Sequence, residues 1–209
     1  MNYAHNEEAA REVVAQIEAN GGHAQTVKAD VSDLEQIERL FGQVGSALDI
    51  LVNNAGYGDF VAFDQIDGAH FDGMFNLNVR GLFFVTQRAL RIMRDGGRIV
   101  NISSIASRGF SGQAAVYAAT KAEVNAFSTA LSKDLGERLI TVNAVSPGPV
   151  QTELFDTAFD EEAKKRMASN SPFNRVGQTD DIAQVVSFLC SDGARWITGR
   201  EIVTDGGVI

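Results

Sequence analysis

Strand-like apolar runs and helix-like periodic stretches take turns along nearly all of these 209 residues, and that alternation limits the fold more than any other feature. Residues 7 to 19 place Ala10, Val13, Val14 and Ile17 at helical spacing before Gly21-Gly22 stops the helix. A short strand is expected at 24 to 30, and residues 33 to 44 repeat the helical pattern with Leu34, Ile37, Leu40 and Phe41. LDILV at 48 to 52 reads as a strand covered on both faces. A long helix is then expected around 69 to 94, a strand at 98 to 103, a helix at 113 to 136 and a strand at 140 to 145. A helix at 179 to 190 and a strand at 201 to 204 complete the series. Such alternation predicts an α/β fold, a doubly wound parallel sheet with helices on both faces. The long irregular stretch, about 147 to 178, holds Pro147, Pro149 and Pro172 and is expected to be a lid or binding loop.

A chain this long, 44% hydrophobic, suits one domain with a sizeable core. The formal charge of -9, with no cluster of Lys or Arg to track a phosphate backbone, argues against nucleic acid as a partner. No apolar run is long enough to span a bilayer and the first residues are polar, so a cytoplasmic protein with no membrane partner is expected. Cys190, the one cysteine, sits in the apolar stretch SFLCSD and reads as a structural thiol. His5, His23 and His70 show no ligand spacing, so no metal is expected.

In open parallel sheets, ligands bind at the carboxyl ends of the strands. Those ends carry Asn53-Asn54-Ala55-Gly56, Ser103-Ser104 and Ser146-Pro147-Gly148, small or hydrogen-bonding residues that let a ligand approach the backbone. One such end would be an ordinary turn; three together point to a site. YAATK at 117 to 121 places Tyr117 and Lys121 on one helical face. The ammonium is expected to lower the phenol's pKa from about 10 toward neutrality, which makes Tyr117 a usable proton donor. Ser104, at the end of the preceding strand, is placed to hold a carbonyl oxygen. That constellation suits carbonyl reduction or alcohol oxidation and carries no reductant of its own, so a nicotinamide cofactor is implied.

Taken in order, Asp30-Val31, NNAG at 53 to 56, Asn78 in NVRG, Ser104 in NISS, YAATK, SPGPVQT at 146 to 152 and WITGREIVTDGG at 196 to 207 form a set found nearly end to end. The set resembles the short-chain dehydrogenases/reductases, particularly 3-oxoacyl-(acyl-carrier-protein) reductases and glucose-dehydrogenase-like members. The resemblance implies a Rossmann-like fold in which Tyr117 is the acid/base, Ser104 polarises the substrate, Lys121 tunes the tyrosine and bonds a ribose, and Asn78 holds a relay water. It also implies a cofactor site with Asp30 and Val31 at the adenine, Asn54, Ala55 and Gly56 near the ribose and backbone crossing, and Gly148, Val150 and Thr152 around the nicotinamide, with Tyr117, Lys121 and Pro147 also among the cofactor-binding residues. Asp30 reads equally well as a helix N-terminal acid, since Ser32 and Asp33 follow it.

The family opens with a strand, a T-G-x-x-x-G-x-G turn, a helix and a second strand. Here Met1-Asn2-Tyr3-Ala4 resembles the tail of that second strand, and no glycine-rich turn precedes residue 21. The expectation is an N-terminally truncated domain lacking its first βαβ portion, from a late start codon or a gene fragment. The family's strand order would then leave a gap of about 14 Å beside LDILV. Either the strand at 24 to 30 moves over to fill it, or another element does. No acidic residue stands in Asn2-Tyr3-Ala4-His5, which favours NADP or dual use of NADP and NAD. The leading reading is an NAD(P)-dependent oxidoreductase of a small-molecule carbonyl/alcohol pair, assembled as a homodimer or homotetramer. A catalytically silent fragment acting as an assembly partner and a nucleotide-sensing regulator are the alternatives. Phe83, Phe84, Phe127 and Leu131 are candidate interface residues that also read as core. Residues 153 to 175 are expected to cover the substrate, with Leu154, Phe155, Phe159, Met167 and Phe173 giving a partly apolar pocket.

Overall fold

A computed structural model describes residues 1–109 and 112–209. The first strand, β1 (Asn2–Tyr3), pairs in parallel with β2 (Val27–Lys28), and helix α1 (Glu7–Ala19) connects them. A second sheet holds β3 (Leu48–Asn53), β4 (Met93–Ile102), β5 (Thr141–Pro147) and β6 (Glu201–Thr204), all parallel and in that order. This is the expected Rossmann-like α/β architecture.

Strand pleating sends neighbouring side chains to opposite faces, and the core follows that rule. Ile99 and Val142 point to one face, where Leu135 and the flank of helix α5 (Ala115–Asp134) cover them. Val100 and Val145 point to the other, against Leu189, Ile182, Val185 and Val186 of α8 (Thr179–Cys190). A third cluster, with Val27, Ala29, Val31, Ile37, Leu40 and Val85, ties β2 and α2 (Leu34–Phe41) to α4 (Leu82–Ala89) and, through Leu51, to β3.

Several elements differ from expectation. The strand expected at 24 to 30 is only Val27–Lys28, and it stays with β1 instead of crossing to β3. No described strand pairs with the outer edge of β3. LDILV is covered on one face only: Ile50 and Val52, two residues apart and so on the same side, are 43% and 41% exposed. The helix expected over 69 to 94 is α3 (Gly68–Phe75), a widened π turn (Asn76–Gly81) and α4, after which the chain is already strand at Met93. A Cβ on Gly81 would lie 2.6 Å from the carbonyl oxygen of Val31, so only glycine lets the widened turn pack against the segment that follows β2. The stretch at 147 to 178 is not wholly irregular. Thr152 and Asp160 cap the short helices α6 (Glu153–Ala158) and α7 (Glu161–Ser169) through their side-chain oxygens.

Candidate active site

Three elements meet at the carboxyl end of the large sheet. Helix α5 carries Tyr117, Thr120 and Lys121 on adjoining positions, Ser104 follows β4, and Asn78 projects from the widened turn. Asn78 is 1% exposed, and its amide is a clamp: Oδ1 accepts from Tyr57 N at 3.0 Å, while Nδ2 donates to Tyr57 O at 2.9 Å and to Thr120 Oγ1 at 3.1 Å. The loop after β3 is thereby fixed against α5. A Cβ on Gly56 would stand 3.0 Å from Asn78 Oδ1 and 3.3 Å from Lys121 Nζ, so the glycine admits the loop to that corner.

Lys121 is 5% exposed, its Nζ donates to Ile102 O at 2.9 Å, and it lies 5.7 Å from the centre of the Tyr117 ring. Burial pulls its pKa down to about 8. Burial also raises the Tyr117 phenol above its ordinary value, against a smaller lowering by a hydrogen bond with Ser104. The expected depression by Lys121 does not emerge, because the same desolvation that isolates the pair weakens the charged form of each partner. Near neutral pH the phenol therefore keeps its proton and the amine is charged, which is the protonation state a proton donor needs.

The strand-end residues divide into two groups. Asn53, Ser103 and Ser146 face inward and bond within the protein. Asn53 Nδ2 donates to Asn101 Oδ1 at 2.8 Å and Thr86 Oγ1 at 2.9 Å, Ser103 Oγ to Lys121 O at 2.9 Å, and Ser146 Oγ to Glu201 Oε1 at 2.7 Å. One residue further on, Asn54, Ala55 and Gly56 are exposed, and Ser104 and Pro147 are partly so. That offset follows the pleat: successive residues at a strand's end alternate between the core and the outside.

Of the residues expected around a cofactor, Lys121 sits beside Tyr117, Gly56 sits beside Lys121 and Asn78, Pro147 ends β5, and Gly148 and Val150 follow it. Gly148 N donates to Thr204 O, and Thr152 Oγ1 accepts from Phe155 N as the cap of α6. Asp30 Oδ1 accepts from Ser32 N and Oγ, so it braces its own turn, and Val31 is buried in the core. The nicotinamide-ribose end of a dinucleotide fits this donor set. Lys121 Nζ, with three N–H groups, spends one on Ile102 O, and ribose hydroxyls suit the others. The 209 residues contain no T-G-x-x-x-G-x-G turn.

Sequence reasoning did not single out Gly58 and Phe60. A Cβ on Gly58 would lie 3.3 Å from the Tyr117 ring, and Phe60 meets that ring edge-on with centroids 5.9 Å apart. The aromatic spacing of YGDF directly after NNAG was the available signal. Of the residues expected to cover the substrate, Phe155 and Phe159 pack together at 5.3 Å. Phe173 lies elsewhere, in a recess of about 200 Å³ that it shares with Pro149, Arg175, Asp181 and Thr204 and that holds none of the four catalytic candidates. The side chain of Leu154 falls outside the described residues.

A tyrosine, a lysine, a serine and an asparagine thus stand together at the carboxyl end of a parallel α/β sheet. A family model described as Enoyl-(Acyl carrier protein) reductase matches residues 2–209. Versicolorin reductase 1 of Aspergillus parasiticus is 41% identical over 99% of this chain and 85% of its own length. Among solved structures, a short-chain dehydrogenase/reductase from Serratia marcescens superposes with a TM-score of 0.94 at 36% identity, covering 99% of this chain and 85% of that one. The angucycline C-6 ketoreductase LanV with bound NADP superposes with a TM-score of 0.93 at 38% identity, covering 99% and 84%. The chain belongs to the short-chain dehydrogenase/reductase family, whose members are NAD(P)-dependent oxidoreductases.

Proposed function

We propose that the protein reduces the carbonyl of a small-molecule ketone, with Tyr117 as the proton donor and NADP as the preferred cofactor. The observation that carries this reading is the convergence of Tyr117, Ser104 and Lys121 in one partly buried corner, with the phenol protonated and the amine charged near neutral pH. A ketoreductase with bound NADP among the structural neighbours supports both the reaction class and the cofactor.

The nicotinamide, when bound, supplies the hydride. Ser104 donates its hydroxyl hydrogen to the substrate carbonyl oxygen and fixes its position. Tyr117 passes its proton to that oxygen, and the Lys121 ammonium offsets the phenolate left behind. Both Asn78 amide hydrogens are already engaged, so a relay water reaches this residue through Oδ1 or through its main-chain carbonyl inside the widened turn. Asp30, Asn54, Ala55, Gly56, Pro147, Gly148, Val150 and Thr152 line the remainder of the cofactor path on this reading, with Val31 supporting it from the core.

Replacing Tyr117 with Phe removes the donated proton and leaves the ring. NADPH oxidation with a ketone is expected to slow by roughly 10²- to 10⁴-fold. An unchanged rate overturns the assignment. Exposed Phe83, in contact with Phe127 at 5.5 Å between α4 and α5, supports a homo-oligomer assembled across those helices.

A further inference from the structure

We infer that Phe60 and Phe159 form a specificity wall for the substrate and that the ketone is carried on a flat aromatic ring system. This deepens the carbonyl-reductase reading and rests on it.

Four aromatic rings run in an unbroken row from the lid to the reacting hydroxyl. Phe155, 6% exposed at the base of α6, meets Phe159 at 5.3 Å; Phe159 meets Phe60 at 6.1 Å and 52°; Phe60 meets Tyr117 at 5.9 Å and 66°. The row crosses three separate elements: α6 with its C-terminal cap, the loop after β3, and α5. Its inner end is the proton donor itself. Phe60 is nevertheless 42% exposed, so part of a ring wedged between two other aromatics remains free beside the reacting group.

The loop that carries Phe60 is held on both sides. Asn78 clamps the backbone of Tyr57, and His70 Nδ1 lies 3.4 Å from Asp59 Oδ2. Gly58 lets the loop press against Tyr117. A fixed aromatic surface of this kind rewards a planar π system through edge-to-face or offset contact, which a saturated ring of the same carbon count cannot match. A saturated ketone gains only apolar burial here.

The matched pair 2-tetralone and 2-decalone shares one bicyclic carbon skeleton and differs in aromaticity. Isothermal titration calorimetry on the full chain is expected to show 2-tetralone binding about five- to ten-fold more tightly than 2-decalone. Phe60→Leu and Phe159→Leu should each remove most of that ratio, and Phe60→Tyr should restore it. Phe173→Leu, in the separate recess, should leave the ratio as it is. Equal affinities in the parent, binding of neither ketone, or a ratio that survives both leucine variants overturns the wall; circular dichroism of the leucine variants separates loss of the ring from loss of the fold. NADPH oxidation reads the underlying reaction independently. Ring-selective binding without turnover defeats the reductase reading and leaves the wall, whereas turnover of both ketones with equal kcat/KM defeats the wall and leaves the reductase.

Discussion

Lys121 is a buried amine whose pKa falls from an ordinary 10.5 to about 8, so its titration couples to folding. Between those two values the unfolded chain holds a proton that the folded chain has lost, and stability therefore rises with pH across the window. Tyr117 works in the opposite sense: its raised pKa contributes stability that is present below pH 10 and lost as pH rises through the folded value. Urea denaturation between pH 8 and pH 10 isolates the lysine. The parent should gain about 2 kcal/mol there relative to Lys121→Met. A flat difference between parent and variant would refute the burial of the charge. The i,i+4 pairing of Tyr117 and Lys121 was legible in five letters, since helical geometry fixes which residues share a face. The direction of the phenol's shift was not, because it depends on how much water the whole fold removes from both groups. Phe60 stayed hidden for a similar reason: a ring in a loop acquires meaning only from what packs on it.

At the level of elements, the large sheet is fastened to its helices by a buried polar relay. Asn101 accepts from Asn53 Nδ2 and donates to Ser128 Oγ at 2.9 Å, and Ser128 Oγ in turn donates to Val124 O. Asn101 is fully buried. Asn101→Ala leaves partners on β3 and α5 with unmet hydrogen-bonding capacity, and each such group costs about 1–3 kcal/mol. The expected loss is about 2–4 kcal/mol in chemical denaturation, well beyond the removal of a surface amide. Helices α1, α2 and α8 and strands β4 to β6 were visible in the sequence as periodic or continuous apolar segments. The interruption between α3 and α4 was not, since Asn76–Gly81 preserves enough apolar residues to pass for uninterrupted helix. Helices α6 and α7 were obscured by the neighbouring prolines and by their own short, polar sequences.

On the scale of the molecule, the two sheets share an apolar cluster but no described ladder, and β3 keeps one face open. Val52 and Val100 are partners in register, yet Val52 is 41% exposed and Val100 1%. Valine to threonine keeps the shape and adds a hydroxyl, so the pair reports coverage directly. Val100→Thr should cost about 1–3 kcal/mol, whereas Val52→Thr should stay within about 0.5 kcal/mol in the same measurement. The overall class was readable because βα alternation admits few topologies. The open face was not, for an apolar strand reads identically whether or not anything lies over it. The widened turn divides the molecule's longest helical run into two lengths with different phase. The stretch bearing His70 and Gly73 steadies the loop beside the substrate, and the stretch bearing Val85 and Thr86 grips the sheet. Because the two lengths meet at that turn out of phase, each presents a different face to its own partner, the loop on one side and the sheet on the other, and Asn78 within the turn ties both to α5.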